Sequence, residues 1–263
     1  MSDLFDRVWR LIVGDVEYAG ADLRATARWP QGGSPATVDL TVYHPDPAFV
    51  DQIWAGTARV SVLAGYADAM GAVEIGGGTP VRGSIIYDRS VVDMPLSVQL
   101  TASGAPASVV LSAAWATVTA REVLAWIARE SGLELDDQSA ADVRYTRGYV
   151  IDGGWLSVVG ELAADLGCSW DVDGVTLRLW PEGGVSRTTA SLWSPSTGLE
   201  RAAPAGEEGQ IRAVRRLDPA LRRGHLIRLI SDDYAGEVRL LEAVHEVDTQ
   251  GDTWSTTVVG VPR

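Results

Sequence analysis

Lysine is absent from the sequence, and all 22 basic residues are arginine. This absence excludes the P-loop lysine that binds nucleotide phosphates. It also excludes enzymes that depend on a lysine Schiff base or a lysine general base. The remaining basic side chains are guanidinium groups, which suit carboxylate and phosphate partners.

Cysteine and histidine are scarce. Cys168 is the single cysteine, so the chain cannot form an internal disulfide bond. The three histidines, His44, His225 and His245, are too few for a Cys/His zinc knuckle. We therefore predict neither a metal ion nor another cofactor.

Long apolar runs are missing as well. No run approaches the ~18 residues that a membrane-spanning helix needs. The first residues, MSDLFDRVWRLIVGD, carry acids where a secretion signal carries positive charge and then a long apolar stretch. We expect no membrane anchor and no secretion signal.

Positive charge is in deficit, with 35 acidic residues and a net charge of -13. Duplex nucleic acid binds basic surfaces, so it is not an expected binding partner. Hydrophobic residues make up 46% and charged residues 22% of the chain, which is typical of a globular protein. The length of 263 residues allows one large domain or two to three small ones.

Residues 1–115 show the alternation of apolar and polar side chains that is typical of strands. In the segment TVDLTVY, Val38, Leu40 and Val42 alternate with polar residues, which indicates a strand with one buried face. Further short strands are predicted at residues 59–63, 84–87 and 96–100. This spacing favours a barrel or a sandwich, and we assign residues 1–115 to an N-terminal β-barrel domain.

The pattern changes to a helical period in residues 116–182. Thr119 and Glu122 have capping-box spacing, which predicts the start of a helix that ends at Gly132. A second helix is predicted near residues 155–166. The two helical patterns match at an offset of 35 residues, which indicates a duplicated unit.

A hairpin is predicted after the second helix, because Asp173-Gly174 is a favoured two-residue turn. Residues 116–182 therefore form a small α/β module. A segment rich in Gly, Ser, Thr and Pro, residues 183–209, is predicted to be a linker. Strands are predicted beyond it at residues 211–216, 225–231, 237–247 and 254–260.

We assign residues 183–263 to this linker and a C-terminal β-barrel domain. The predicted fold class is α+β and mostly β, with two β-barrel-like domains and a small α/β module between them.

Catalytic motifs are absent: the sequence has no G-x-S-x-G, no H-E-x-x-H and no G-x-G-x-x-G after a strand. Gly76-Gly77-Gly78 is predicted to be a tight hairpin loop, because no helical pattern follows that would support phosphate binding. We predict no catalytic residue.

Several acidic groups leave alternatives open. For His245-Glu246-Val247-Asp248 we favour a solvated strand face over a metal site. Asp136-Asp137 and Asp232-Asp233 lie in turn-like contexts, where carboxylates cap backbone groups or bind water. A glycosidase pair of carboxylates stays open, since its two members need to meet only in space.

Six arginines fall within 17 residues that contain one acid, Asp218. They are Arg212, Arg215, Arg216, Arg222, Arg223 and Arg228. Such a cluster binds phosphate or an acidic protein face, contacts another subunit, or pairs with acids of its own chain. We predict a protein interface that is formed by Arg212, Arg215, Arg216, Arg222, Arg223 and Trp254.

The ten tryptophans divide by their local context. Three occupy positions typical of a core: Trp9, Trp29 and Trp126. Three others lie near turns or strand ends, where either core packing or a binding surface is compatible with the pattern: Trp54, Trp193 and Trp254.

Four segments of the N-terminal part occur in a characteristic order: DLR (22–24), DLTVY (39–43), RVSVLAGY (59–66) and VRGSI (81–85). This order resembles the opening of phage tail hub proteins of the baseplate hub and late control protein D families. The third segment is similar to their V-x-V-x-A-G-Y pattern. The fourth is similar to F-x-G-x-I, with Val81 in place of the aromatic residue.

The resemblance continues near the C-terminus. Residues 217–229, LDPALRRGHLIRL, are similar to the family pattern L-x-P-x-L-x-P-G-x-x-V-x-L, with Arg223 in place of the second proline. Residues 236–244 and 251–256 match the closing pattern of the family more loosely, with Val238 where the family has tyrosine.

The resemblance implies a structural assembly protein and no enzyme. In the family, two β-barrel domains of one chain lie side by side, and three chains close a ring of six barrels. That ring joins the six-fold tail tube to a three-fold tip and frames a DNA channel. The implied partners are two further copies in a homotrimer, a distal tail or tail tube protein, and a tail fibre or tip spike protein. DNA would pass through the lumen without specific binding, and the implied location is the tail tip or baseplate of a virion made in the bacterial cytoplasm.

Two alternatives belong to other functional classes. One is a tail-associated cell-wall hydrolase that uses carboxylates, for which the sequence offers no recognised constellation. The other is a carbohydrate-binding module, for which tryptophans near strand ends are the argument.

Overall fold

The computed structural model describes residues 7–18, 20–31, 35–67, 71–81, 83–101, 110–206 and 209–263, with the backbone alone for residues 188–190. Residues 1–6, which carry part of the argument against a secretion signal, lie outside the described residues. Arg82, in the fourth segment of the N-terminal motif series, also lies outside them.

The strands of the N-terminal part are β1 (Arg7–Val13), β2 (Val16–Tyr18), β3 (Asp22–Trp29), β4 (Thr37–Tyr43), β5 (Val60–Tyr66), β6 (Gly71–Pro80), β7 (Ile86–Tyr87) and β8 (Leu96–Thr101). The middle part contains β9 (Val110–Trp115), β10 (Val118–Thr119), β11 (Glu134–Asp137), β12 (Arg144–Tyr145), β13 (Tyr149–Gly154), β14 (Cys168–Asp173) and β15 (Thr176–Pro181). The C-terminal part contains β16 (Arg187–Trp193), β17 (Leu199–Ala205), β18 (Gln210–Arg216), β19 (His225–Ile230), β20 (Ala235–Asp248) and β21 (Trp254–Pro262). The helices are α1 (Pro47–Ala55), α2 (Ala120–Glu130) and α3 (Trp155–Asp165), with a 3-10 turn at Pro195–Thr197.

One large sheet contains strands from both terminal parts of the chain. Its strand order is β17-β18-β21-β20-β3-β4-β8-β6-β5-β1-β2, with β19 also paired to β20, β16 to β19 and β7 to β8. The two parts meet where β3 and β20 pair antiparallel, with Thr26 opposite Glu246. Among the described strands this path runs from β17 to β2 and does not close into a barrel.

Two hydrophobic cores contain most of the buried apolar side chains among the described residues. The first core contains residues from both terminal parts, such as Leu23, Leu40 and Leu240, which are almost wholly buried. The second core is made only of residues between 111 and 179, such as Leu124, Val159 and Leu177. The predicted mostly-β fold with a small α/β module is confirmed, while the boundaries 1–115, 116–182 and 183–263 stay predictions.

The middle part follows the sequence signals closely. The capping box is present, because the Glu122 N–H donates to Thr119 Oγ1 at 3.3 Å and the Thr119 N–H donates to Glu122 Oε2 at 2.8 Å. The helices α2 and α3 begin 35 residues apart. The predicted hairpin is confirmed by the antiparallel pairing of β14 and β15, in which Asp173 lies opposite Thr176.

Helix α1 was not predicted, because the residues before it indicate only a turn. The Asp46 carboxylate accepts the Ala48 N–H at 2.7 Å, and Pro47 begins the helix, where its missing N–H costs nothing. Phe49 and Ile53, which lie one helical turn apart, face the first core.

The prediction of a hairpin loop at Gly76-Gly77-Gly78 is wrong, since these residues lie within β6 and are buried. A Cβ on Gly76 would lie 2.7 Å from Val38 Cγ2 and 2.9 Å from Ala27 Cβ. A Cβ on Gly77 would lie 2.4 Å from the Val60 carbonyl oxygen. Glycine is therefore used here for close packing between strands and not for a turn.

The prediction of a linker at residues 183–209 is also wrong, because this segment contains β16, the 3-10 turn and β17. Strand β16 pairs in parallel with β19, with Trp193 opposite Leu229. Parallel pairing joins segments that are distant in sequence, so local composition does not show it. Trp193 is fully buried in the first core.

Candidate functional site

The arginine cluster lies on β18, on β19 and on the connection between them. Arg212 and Arg216 on β18 and Arg228 on β19 are exposed. The connection places Arg222 and Arg223 in the interior, with 8% and 6% of their surface exposed. The cluster thus divides into three exposed arginines, a buried pair and the half-buried Arg215.

Arg222 contacts all three parts of the chain. Its Nη2 donates to the Glu74 carbonyl of β6 at 2.7 Å, and its Nη1 donates to the Pro219 carbonyl at 2.7 Å. Its Nε donates to Asp173 Oδ1 of the middle part at 3.4 Å. The guanidinium carbon lies 4.2 Å from the centre of the Trp29 ring, within the range of a cation–π contact.

Arg223 lies at the boundary between the first core and the middle part. Its Nη1 donates to the Pro30 carbonyl at 2.9 Å, and its guanidinium carbon lies 5.4 Å from the centre of the Trp180 ring. Burial lowers the pKa of Arg223 and raises the pKa of nearby Asp171 to about 6, and the charge of each partner opposes the shift of the other. Asp171 is therefore a weaker acid than an exposed aspartate.

Gly224, which ends this connection, has a φ of +77°. Its N–H donates to the Leu240 carbonyl at 2.9 Å. A Cβ at this position would lie 2.7 Å from Ser186 Oγ and 2.9 Å from Trp180 Cζ2. Both the backbone conformation and the lack of space require glycine after the two arginines.

Arg215 belongs to a network centred on Asp218. Asp218 Oδ2 accepts hydrogen bonds from Arg215 Nη1 at 2.7 Å, from Ser191 Oγ at 3.0 Å and from Trp193 Nε1 at 3.3 Å. The Asp218 N–H donates to Thr256 Oγ1 at 2.8 Å. Arg215, Arg222 and Arg223 thus contact carboxylates and carbonyls of their own chain, and the interface predicted for the whole cluster stays a prediction.

His245 is fully buried beneath this connection, so the expectation of a solvated strand face is wrong for this residue. Its Nε2 lies 2.9 Å from the Leu221 carbonyl, and its Nδ1 lies 2.9 Å from Thr256 Oγ1. A carbonyl accepts, so Nε2 carries the proton and Nδ1 accepts from the hydroxyl. Burial lowers the pKa of His245 to about 3 and that of His225 to about 4, which keeps both rings neutral near pH 7.

Asp232 and Asp233 lie in the connection between β19 and β20, as expected, whereas the other acidic pair is placed differently. Asp136 and Asp137 lie on β11 and not in a turn. Arg178 Nε donates to Asp136 Oδ2 at 2.8 Å, and this hydrogen bond lowers the pKa of the Asp136 carboxyl. Arg121 Nε lies 3.1 Å from Asp137 Oδ2. Both carboxylates therefore serve as ion-pair partners within the module.

A cleft of about 530 Å³ separates α3 and β14–β15 from the first core. Its lining includes Leu156, Cys168, Trp170, Glu182, Arg223 and Arg239. Burial raises the pKa of the Cys168 thiol, so this cysteine lacks the thiolate character of an activated nucleophile. Within the described ranges, no group of three His, Cys, Asp or Glu side chains is arranged to hold a metal ion.

The tryptophans named for a binding surface take different environments. Trp54 is 56% exposed at the end of α1, whereas Trp193 and Trp254 are buried. Trp254 Nε1 donates to the Asp248 carbonyl at 3.1 Å, and Arg7 lies over its ring at 5.3 Å.

Among the described helices, none is long and apolar enough to cross a membrane.

The sequence does not show the hydrogen-bond partners of Arg222 and Arg223 that lie far away along the chain. Glu74 is 148 positions from Arg222, and Pro30 is 193 positions from Arg223. Both partners accept through backbone carbonyls. Every residue has such a group, so the residue type does not identify these partners. The one signal in the sequence is the pair of adjacent arginines immediately before a glycine.

Solved structures with this fold have low sequence identity to the chain. The E. coli c3393 protein, a component of the type VI secretion system with structural similarity to the T4 bacteriophage tail proteins gp27 and gp5, is 13% identical; the match covers 96% of this chain and 76% of that protein, with a TM-score of 0.68. The 43 kDa tail protein of prophage MuSo2 from Shewanella oneidensis is 9% identical, with coverage of 97% and 98% and a TM-score of 0.66. The tail protein from Neisseria meningitidis MC58 is 12% identical, with coverage of 97% and 96% and a TM-score of 0.65.

No protein-family model and no curated protein matches the sequence. At these identities the likeness shows the fold alone. The chain therefore has the fold of phage tail proteins and of a type VI secretion component, over nearly its whole length.

Proposed function

We propose that this protein is a structural, non-enzymatic phage tail hub whose copies form a ring. The ring joins the six-fold tail tube to the three-fold tip and frames the channel for DNA. The observation that carries the proposal is the shared fold with tail proteins over 97% of this chain and 96 to 98% of theirs. Because the match covers nearly all of this chain and nearly all of each tail protein, it favours the same architectural role over a single domain that proteins of different function share.

The proposal gives each part of the chain a mechanical role. The large sheet and its single core join the two terminal parts, so that they act as one rigid wedge. The middle part has its own core and is attached through Arg222 and Asp173. A rigid wedge suits a symmetric ring, in which every subunit must present the same surfaces.

The charge of the chain suits a channel through which DNA passes. With a net charge of -13, the chain as a whole repels the phosphate backbone of DNA. Acidic residues that face the lumen would repel the passing backbone, because like charges raise the energy of the encounter. The expected partners are two further copies, a tail tube protein and a tail fibre or tip spike protein, within the tail tip of the virion.

The absence of an activated group in the described site supports a role without catalysis. His225 and His245 are neutral and buried, and the carboxylates of Asp218 and Asp136 are paired with arginines. A cell-wall hydrolase would need an unpaired acid with an altered pKa at an accessible surface. Loss of cell-wall turbidity that a single Asp or Glu substitution abolishes would replace this proposal with the hydrolase.

The proposal predicts the mass of the protein in solution. At tens of micromolar, multi-angle light scattering is expected to give three times the mass of one chain. Negative-stain images should show rings with a central opening. A single-chain mass together with no binding to the tail tube protein encoded beside it would overturn the proposal.

A further inference from the structure

The cleft between the middle part and the first core collects positive charge in a chain that is acidic overall. Its charged lining residues are Arg223, Arg239 and Glu182, whereas the whole chain has a net charge of -13. Arg263 adds a positive charge near Arg239, and Asp171 adds a negative charge near Arg223. The cleft and its surroundings thus hold three arginines and two carboxylates.

Arg223 carries hydrogen-bond donors that its own chain leaves unused. The residue is 6% exposed, and its Nη1 donates to the Pro30 carbonyl at 2.9 Å. Its Nε and Nη2 have no hydrogen-bond partner among the described residues. Asp171 influences the pKa of Arg223, but within the described part of the chain no hydrogen bond or ion pair joins the two. Buried donors without an acceptor are costly, and two adjacent guanidinium nitrogens suit the two oxygens of a carboxylate.

Arg239 is a second available cation on the same side of the cleft. The Gly224 N–H donates to the Leu240 carbonyl at 2.9 Å, so the preceding residues, Arg223 and Arg239, lie near each other. The Arg239 guanidinium is half-buried and makes no hydrogen bond or ion pair with any described residue. Glu182, although it influences the pKa of Arg239, is not within ion-pair distance. This side of the cleft therefore presents two arginines with free donors.

The opposite side of the cleft is apolar and belongs to α3. Leu156, Gly160 and Ala164 line the cleft there, and their spacing of four residues places them on one face of the helix. The stripe is about 12 Å long at 1.5 Å per residue. The other face of α3, which includes Val159 and Leu162, packs in the second core. An extended chain of about four residues covers the same length as the stripe.

We propose that the cleft binds an extended segment of another tail protein, in which carboxylate and apolar side chains alternate. Successive side chains of an extended chain point to opposite sides, which suits a cleft with one cationic and one apolar side. One carboxylate binds Arg223, the next carboxylate binds Arg239, and the apolar side chains lie against α3. The inference rests on the proposed function for the kind of partner, and on the cleft alone for the chemistry of the segment.

Cys168 provides a direct measure of whether the cleft is occupied. It is the single cysteine of the chain, it is partly exposed, and it lines the cleft. A bound segment is expected to shield its thiol from N-ethylmaleimide. The rate of modification at pH 8, followed by mass spectrometry of the intact protein, therefore reports occupancy.

The probe is a set of tetrapeptides, blocked at both ends, with aspartate at the second and fourth positions and leucine, valine or phenylalanine at the others. The matched control set has asparagine in place of aspartate, which keeps the shape and removes the charge. At millimolar concentration, at least one acidic peptide should slow the modification of Cys168 at least about 10-fold, which requires a Kd near one-tenth of the peptide concentration. The asparagine peptides should leave the rate unchanged.

Two variants test the arginines. Arg239→Gln and Arg223→Gln should each weaken binding of the acidic peptide at least about 10-fold, because charge-assisted hydrogen bonds are lost. Arg228→Gln, the same change at an exposed position of β19 outside the cleft, is the control and should bind as the wild type does. Arg239→Gln breaks no bond within the described chain, so its melting temperature and its modification rate without peptide should be unchanged. A purely structural role of Arg223 predicts that Arg239→Gln binds normally.

Several results would overturn the inference. They are no protection by any acidic peptide, equal protection by the asparagine peptides, and undiminished binding in Arg239→Gln. Equal protection by butyrate at the same carboxylate concentration would make the occupant a small carboxylic acid and would also overturn it. Light scattering tests the ring separately: a trimeric mass without peptide protection leaves the proposed function standing. Peptide protection in a protein of single-chain mass supports the site and contradicts the ring.

Discussion

Arg222 joins distant parts of the chain through one guanidinium group. It binds carbonyl oxygens of Glu74 and Pro219 and the carboxylate of Asp173, and it stacks on Trp29. Because the group is buried, the Glu74 and Pro219 carbonyls would lose this donor if the arginine were removed, whereas Asp173 would keep its ion pair with Arg178. Unpaired buried acceptors cost more than the hydrogen bond itself contributes.

Arg222→Met is expected to lower the free energy of unfolding by about 3 kcal/mol, the range measured when one member of a buried charged network is removed. Urea denaturation gives this value directly. Arg228→Met, at an exposed position of β19, is the matched control and should change it by less than about 0.5 kcal/mol. Equal effects in the two variants would mean that Arg222 does not stabilise the junction.

The arginine cluster is visible in the sequence, but the division between surface and interior is not. Six arginines in one segment predict a charged surface, and for Arg212, Arg216 and Arg228 that expectation agrees with their exposure. For Arg222 and Arg223 the acceptors are backbone carbonyls far away in the sequence. Any residue has such a carbonyl, so no pattern of residue types identifies these partners.

The sequence predicts the helices and strands that are determined by their own residues. It does not predict those that depend on pairing or packing with segments far away along the chain. Helix α2 has its capping box and apolar stripe within its own residues, and the β14–β15 hairpin has its turn. Strand β16 exists because β19 lies beside it. Strand β6 is rich in glycine, which favours loops, yet Val38 and Ala27 pack where side chains would otherwise be.

Gly76→Ala tests this account of β6. A Cβ would lie within 3 Å of Val38 Cγ2 and Ala27 Cβ, and such overpacking typically costs about 1 to 3 kcal/mol. We expect a corresponding drop in the urea midpoint. Gly153→Ala in β13 is the control, since no described atom lies within 4 Å of its Cβ position, and it should leave the midpoint nearly unchanged.

At the scale of the whole molecule, the two cores differ in how they are built. The second core uses one continuous segment, residues 111 to 179. The first core needs both ends of the chain, because β3 and β20 pair at its centre and Leu23 and Leu240 share it. The two parts should therefore differ when they are separated.

Residues 110–182, produced alone, are expected to unfold cooperatively in urea and to give dispersed amide resonances. Residues 1–115, produced alone, lack β20 and the buried side chains that the C-terminal part contributes to the first core, and should aggregate or remain without fixed tertiary structure. A soluble, cooperatively folding 1–115 fragment would contradict the shared core. An unfolded 110–182 fragment would show that the module depends on Arg222 and its neighbours.

Because β3 pairs with β20, β3 must wait for its partner strand while the chain is being synthesised. Leu23 and Thr249, which hydrogen-bond beside this pair, are 226 positions apart. A ribosome that adds about 5 to 20 residues per second leaves the β3 edge without its neighbour for roughly 10 to 45 seconds. During that interval the nascent chain exposes an unprotected β-edge, so its yield in the host depends on chaperone capacity and on translation speed.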